Sequence, residues 1–399
     1  MQETDIYDYV LRLERKVELI KGDNELSQHN RDRIFEFQRY CLANGIGKAR
    51  VLRYLHDLPI IAKLLGKDFE GATKESMERV LQEIETSHYA SRTKIDFKVS
   101  LKKFYKWLNG GKTCPKCVDW VKTTEKKNSN KLPEDLLTEE EVKRMIQVSM
   151  NPRDRALISV LWESGCRAGE VLSMRIKHVS FEDRFTRVTL HGKTGMRRMP
   201  LIDSTPYLAE WIENHALKGD PDAPLWIGVG TVGRGEMLSY PSLRKLLREA
   251  AGKSKVKKAV NPHNFRHSRA TYLANHLKEA QMTQYFGWVQ GSDIPSVYVH
   301  LSGRDIDDAI LEMRGLKPRA VKGEDTLAPK ECPRCGFVNK ATGKFCNRCG
   351  LALDLKTAQE VEEKTKSADE KLSLVLESLF KDKKMEEVLR EKIRELNLL

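Results

Sequence analysis

The chain has 399 residues, enough for two or three domains, because a single hydrophobic core seldom grows past about 250 residues. Its formal charge of +13 suits a polyanionic partner; residues 355–399 hold ten Lys/Arg against eleven Asp/Glu, so the basic surface belongs to the body and not to the tail. No run approaches the roughly 18 apolar residues of a membrane span, and "MQETDIYDYV" lacks the basic and apolar regions of a leader, so a cytoplasmic protein is expected.

Residues 1–121 read as a helical domain. "DIYDYVLRLERKVELI", "NRDRIFEFQRYCL", "ARVLRYLHDLPIIAKLL", "ESMERVLQEIE" and "SRTKIDFKVSLKKFYKWL" repeat apolar residues at three and four, with bases on the other faces. The fifth carries Phe97, Phe104 and Tyr105 on one side, and Lys94, Lys98, Lys102, Lys103 and Lys106 around them. A solvated basic face and a DNA-tracking surface share that pattern. A polar stretch over 122–137 reads as a linker, closed by Thr138 and Glu141, whose spacing makes a capping box ahead of an apolar run.

From 138 to 318 long helices surround one β-hairpin, "RFTRVTL" and "RRMPL" flanking "HGKTGM". A small unit at 328–353 follows. The tail, 354–399, sets Leu372, Val375, Leu376, Leu379, Leu389, Ile393 and Leu396 at helical spacing, as an amphipathic helix does whether it binds a partner, self-associates or folds back on its own body.

The small unit holds the most specific local signal. Cys332 and Cys335, then Cys346 and Cys349, form two C-x-x-C turns ten residues apart, each followed by a glycine. Four thiolates leave no ligand position open for water, so the spacing predicts a structural zinc ribbon. Cys114 and Cys117 have no matching second pair and read as an accidental pair in a loop. "GGKT" at 110–113 and "GKTG" at 192–195 look like P-loop ends, but the earlier glycine is replaced by Lys106 and Arg187, so nothing argues for ATP.

"NPHNFRHSRATYL" at 261–273 crowds His263, Arg266, His267 and Arg269 at the start of a helix. Such a cluster is either a set of solvated bases or one wall of an anion pocket. Taken singly, Arg167 in "ESGCRAGEVLSMR" reads as a helix-start arginine paired to Glu170, Lys193 as a turn lysine, and Trp288 and Tyr298 in "FGWVQGSDIPSVYVH" as core aromatics.

Their order changes the reading. "SGCRAGE", "HGKTG", "HNFRHSRAT", "FGW" and "SVYVH" follow one another at spacings that resemble the tyrosine recombinase (phage integrase-like) family. The resemblance is strong from about residue 138 to 315, and the helical N-terminal segment resembles the family's DNA-clamping core-binding domain only in kind. It implies a mostly α protein with a small β-sheet, in which an α+β catalytic domain follows the helical core-binding domain. It also implies site-specific cleavage and rejoining of double-stranded DNA by a homotetramer on two recombination sites, without ATP or a catalytic metal. Residue by residue it implies Tyr298 as nucleophile, Arg167 and Arg266 as the clamp on the scissile phosphate, and Lys193 as general acid. His263 and Trp288 complete the phosphate pocket by hydrogen bonding, and His263 has acceptance of the tyrosyl proton as a further role. Glu170 is expected to orient Arg167 or His267, with His267 in a supporting or packing place and Arg269 solvated or on backbone phosphate. The ribbon and tail lie outside the family core and are expected to contact a protein partner or auxiliary DNA. A type IB topoisomerase and a non-catalytic DNA-binding scaffold are the competing readings.

Overall fold

The computed structural model describes residues 5–124, 135–192, 195–231, 233–292, 294, 295, 298, 313, 314 and 327–354, with scattered positions of the tail between 356 and 394. Among the described residues no helix is long and apolar enough to cross a membrane. The chain divides into two compact units, residues 1–132 together with 239–241, and the remainder.

The first unit is helical. Helices α1 (Tyr9–Lys21), α2 (Gln28–Ala43), α3 (Lys48–Leu65), α4 (Lys74–Thr86) and α5 (Ser91–Leu108) match the five periodic segments. Local chemistry sets the ends: the Ser27 side chain accepts from the Asn30 N–H at the start of α2, and Thr73 and Ser76 form a capping box on α4. Ile34, Phe37, Leu55, Leu58, Phe69, Phe97 and Phe104 fill the core, and the Tyr105 hydroxyl donates to the Phe69 carbonyl at 3.0 Å. Several α5 bases have partners inside the fold, Lys98 on Glu85 at 2.5 Å and Lys102 on the carbonyls of Asp119 and Val121. Cys114 and Cys117 pack against this core, and burial pushes the Cys117 thiol up.

In the second unit the Thr138–Glu141 capping box opens α6 (Glu139–Val148). Asn151 caps α7 (Pro152–Ser164) with Pro152 at its first position. Every residue of α7 from Ala156 to Ser164 is buried, with α6, α9 and α11 packed around it. A short α8 (Ala168–Leu172) leads to an antiparallel sheet of β1 (Val179–Phe181), β2 (Thr186–Gly192) and β3 (Gly195–Leu201), in that order. The hairpin pairs Val188 with Met199 and Gly192 with Gly195; β1 is an addition to the expected hairpin, too short at three residues to show an alternation.

Helices α9 (Thr205–Glu213), α10 (Tyr240–Lys253), α11 (Pro262–Ala274) and α12 (Glu279–Phe286) complete the body, and β4 (Lys330–Glu331) with β5 (Val338–Asn339) forms the sheet of the cysteine unit. Residues 125–134 of the expected linker lie outside the described residues, as do Leu372, Leu376, Leu379, Leu389, Ile393 and Leu396 of the tail.

Candidate active site

Helix α11 delivers the crowded bases. Asn261 accepts from the Asn264 N–H and Pro262 occupies the first turn, so the helix starts where the sequence places it. His263, Arg266 and His267 then fall at i, i+3 and i+4 and share a face. Arg266 turns inward and is 5% exposed. Its guanidinium donates to the Gly165 carbonyl at 3.0 Å and the Phe286 carbonyl at 2.7 Å, and lies over the rings of Phe286 and Trp288. Burial and the nearby charge of Arg167 bring its pKa down to about 10. His263 and His267 touch through Nε2 atoms 2.8 Å apart. That contact needs one donor and one acceptor, so the two rings are not both imidazolium while it holds.

Arg167 stands at the N-cap of α8, close enough for its charge to act on Arg266. Its backbone N–H and Nη1 both donate to Glu170, at 2.8 and 2.9 Å. Glu170 is 3% exposed, and Arg197 of β3 grips it from the other side with two hydrogen bonds of 3.0 and 2.8 Å. Burial alone would raise the Glu170 pKa; the bonds and charge of Arg197, then those of Arg167, hold it below the ordinary carboxylate range. Nε of Arg197 donates to the Tyr285 carbonyl, which ties the hairpin to the end of α12. This packing needs glycine at 192, where a Cβ would stand 2.5 Å from Glu170 Oε1. Gly165 is held as tightly: its φ is +53°, and a Cβ there would meet Phe286 at 2.6 Å.

Tyr298 is 6% exposed. Its ring lies flat on Trp288, centroids 5.4 Å apart and planes 4° from parallel, and Trp288 in turn stacks on Phe286. The hydroxyl is 2.6 Å from Nδ1 of His267. Burial pushes the phenol pKa up from its ordinary 10, and Arg266 pulls against it.

Two expectations need correction, those for His267 and Arg269. His267, expected to support or pack, is the imidazole that touches the tyrosine oxygen, while His263 lies one ring further out. Trp288, expected as a hydrogen-bond donor to phosphate, has its ring stacked on that of Tyr298, a contact that leaves the phosphate role among the proposals. Arg269, expected in solvent or on backbone phosphate, donates to the Glu163 carbonyl at 3.1 Å and lies over Tyr272. Glu170 serves Arg167, as one of its two expected roles, together with Arg197, which spacing did not single out. Lys193 and His300 lie outside the described residues; the strands that carry the Lys193 turn are in place on both sides of it.

The sulfurs of Cys332, Cys335, Cys346 and Cys349 all lie within 4.8 Å of one another. A tetrahedral zinc with Zn–S bonds of about 2.3 Å spaces its sulfurs about 3.8 Å apart, so the donor set fits that ion. Burial opposes a thiolate at Cys346, but the N–H groups of Cys349 and Arg348 and the Asn339 side chain draw its pKa down to about 6. The unit rests on α9: Thr342 Oγ1 is 3.0 Å from the Tyr207 hydroxyl, and Lys340 pairs with Glu210 at 2.6 Å.

Comparison with known proteins gives first a class: the chain is an enzyme of DNA strand breakage and rejoining of the tyrosine type, with residues 135–304 matching the Phage integrase family. More narrowly, the chain is similar to tyrosine recombinases over about three quarters of its length. It is 25% identical to the tyrosine recombinase XerA of Pyrococcus furiosus over 296 residues, which is 72% of this chain and 96% of that protein. It is also 25% identical to the tyrosine recombinase XerD of Staphylococcus aureus over 318 residues, 76% of this chain and 96% of that one. Two solved structures share the fold. One is XerH site-specific recombinase bound to a palindromic difH substrate, with a TM-score of 0.56, 16% identity and coverage of 78% of this chain and 98% of that one. The other is lambda integrase bound to DNA, with a TM-score of 0.52, 14% identity and coverage of 70% and 98%.

Proposed function

We propose that this protein is a site-specific DNA recombinase that cleaves each strand with Tyr298 and stores the broken bond as a 3′-phosphotyrosyl ester. The observation that carries the reading is the tyrosine itself, buried against Trp288, hydrogen-bonded to an imidazole and within the field of Arg266. A phenol with a raised pKa is a poor nucleophile at neutral pH, so it needs an acceptor for its proton. Its neighbour His267 is one.

Attack puts negative charge on the non-bridging oxygens, which the guanidinium forks of Arg167 and Arg266 suit better than ammonium groups do. Loss of one such preorganised donor costs on the order of 10²–10³ in rate. His263, exposed at the first turn of α11, completes the phosphate pocket. Lys193, in the turn that the sequence predicts, protonates the departing 5′-oxygen. Exchange of one ester for another conserves the bond energy, so the reaction as drawn runs on the cations of the chain, without ATP or a catalytic metal. Strand exchange between two duplexes calls for four copies on two sites. Neighbours of this fold support that reading, among them lambda integrase as a tetramer on a Holliday junction. Integration or excision of a mobile element is the biological setting we assign. The ribbon carries one structural zinc, and with the tail it supplies contacts to a protein partner or auxiliary DNA.

The test is capture of nicked genomic fragments. Wild-type protein is expected to accumulate a covalent DNA adduct that survives denaturant, and Tyr298→Phe to form none; sequencing the attached DNA yields the site. Equal adduct from the Phe variant would falsify the assignment of the nucleophile, and relaxation of supercoils by monomers without strand exchange would favour a topoisomerase.

A further inference from the structure

Tyr298, His267 and His263 form an unbroken line of hydrogen bonds from the buried nucleophile to the surface. The phenol oxygen is 2.6 Å from His267 Nδ1, and His267 Nε2 is 2.8 Å from His263 Nε2. Tyr298 is buried, His267 half-buried and His263 exposed. We infer that His267 is a catalytic residue, the direct acceptor of the Tyr298 proton, and that it passes a proton on to His263 in a two-imidazole relay. The inference rests on Tyr298 being the nucleophile and deepens that reading by naming its base.

The proton bookkeeping closes on the observed contacts. Before reaction the phenol donates to a bare Nδ1 of His267, whose Nε2–H donates to a bare Nε2 of His263. As the Tyr298 oxygen attacks phosphorus, its O–H bond breaks and Nδ1–H forms. The Nε2–H bond of His267 breaks and a new N–H forms on His263, which becomes imidazolium. His267 ends neutral, with its two nitrogens exchanged in role. The same heavy-atom distances serve both states with every hydrogen bond reversed, so no side chain has to move during the transfer. The electron pair left on the phenolate oxygen makes the P–O bond, and the P–O5′ bond breaks toward the group protonated by Lys193. Run backward during rejoining, the line returns a proton to the departing phenolate.

The geometry also explains why the bases are crowded. One imidazole touching the phenol from within the protein would hold its new charge beside Arg266, whose guanidinium is buried in the same cluster. A second imidazole, one helical turn back and open to water, carries that charge away from the guanidinium. Arg167 at the start of α8, Glu170 on α8 and Arg197 on β3 act on the Arg266 guanidinium that faces this cluster.

The experiment uses the full chain and a nicked duplex carrying the sequence read from the wild-type adduct. The first-order rate of adduct formation is measured at saturating DNA, with a normal phosphodiester and with a 5′-bridging phosphorothiolate, whose sulfur leaves without protonation. His267→Asn keeps an acceptor oxygen in the Nδ1 position but has no second nitrogen through which to pass a proton. It is expected to cut the rate by roughly 10²-fold or more, to bind DNA within about twofold of wild type, and to stay slow on the phosphorothiolate. Lys193→Ala is expected to recover on that substrate. His267→Ala is expected to regain part of its rate with added imidazole.

A wild-type rate in His267→Asn overturns the relay and leaves His267 with a positioning role, whereas absence of adduct from wild type overturns the recombinase reading. Nitrogen NMR of ¹⁵N-histidine-labelled protein without DNA separates the two further: His267 is expected as the Nε2–H tautomer, with its ring signals moved by Tyr298→Phe. An Nδ1–H tautomer in the free protein also overturns the relay.

Discussion

Glu170 receives four hydrogen bonds, two from Arg167 and two from Arg197, in a place where its charge has almost no access to water. Removing one partner of such a buried pair typically costs about 3–5 kcal/mol, because the remaining charge is left without compensation. Arg197→Met is therefore expected to lower unfolding stability by about 3 kcal/mol and to slow adduct formation, since Arg167 loses the anchored carboxylate that fixes it. The pH dependence has a definite sign. The folded-state pKa of Glu170 lies below its ordinary value, so its contribution is complete above about pH 5, around the unfolded carboxylate pKa, and fades as pH falls toward the folded value. Denaturant titrations at pH 7 and pH 4 should show that acid loss in wild type and a smaller one in Arg197→Met; an identical acid loss in both would rule Glu170 out as its source. Arg197 was not legible beforehand. An arginine in "RRMPL" looks like any base on a strand, and its partner is set by where β3 lands on α8, a contact that no spacing within the strand encodes. His267 was half legible: its i+4 relation to His263 is written in the sequence, but its tyrosine lies 31 residues further on.

The hairpin and α11 are the two elements that bring the site together. Both were readable, the hairpin from two strand-like runs flanking a turn with two glycines and α11 from the cluster of bases placed at a helix start. What could not be read was their registration on α7 and α8, which depends on close backbone approach. Gly192 is the sharpest case, because the room it leaves is filled by the Glu170 carboxylate. Gly192→Ala is expected to cost about 1–3 kcal/mol as an overpacked contact. It should also lower the cleavage rate more than it lowers DNA affinity, since the carboxylate it displaces orients Arg167. Parallel measurement of unfolding, DNA binding and adduct formation checks this; a loss confined to binding would count against it. Arg269 teaches the same lesson from the other direction: in sequence it stands among the other bases, yet the carbonyl at the end of α7 claims it.

Across the whole molecule, the cysteine unit is seated on the catalytic body and not merely attached to it. Thr342 and Lys340 reach Tyr207 and Glu210 on α9, and Glu210 also pairs with Arg155 of α7 at 3.3 Å. Metal content is expected at one zinc per chain, lost together with these contacts on treatment with a strong chelator. Limited trypsin digestion should then open cuts at Lys340, Lys344 and Arg348 while the body at 138–318 stays folded. A metal-free preparation with an unchanged digestion pattern would show that the fold of the unit does not depend on zinc. The spacing of the cysteines made the cluster of four sulfurs legible; the seat of the unit on α9 was not, because Tyr207 and Glu210 carry no mark of a partner more than a hundred residues away.

The flat contact between Trp288 and Tyr298 has a consequence for observation. An indole quenched or shielded by a neighbouring ring reports the departure of that ring. Under the proposed chemistry the oxygen that attacks phosphorus belongs to the ring that covers Trp288, so DNA that engages this tyrosine changes the surroundings of that indole. Fluorescence of Trp288 is thus expected to report on the Tyr298 ring in the DNA complex without any need for an adduct.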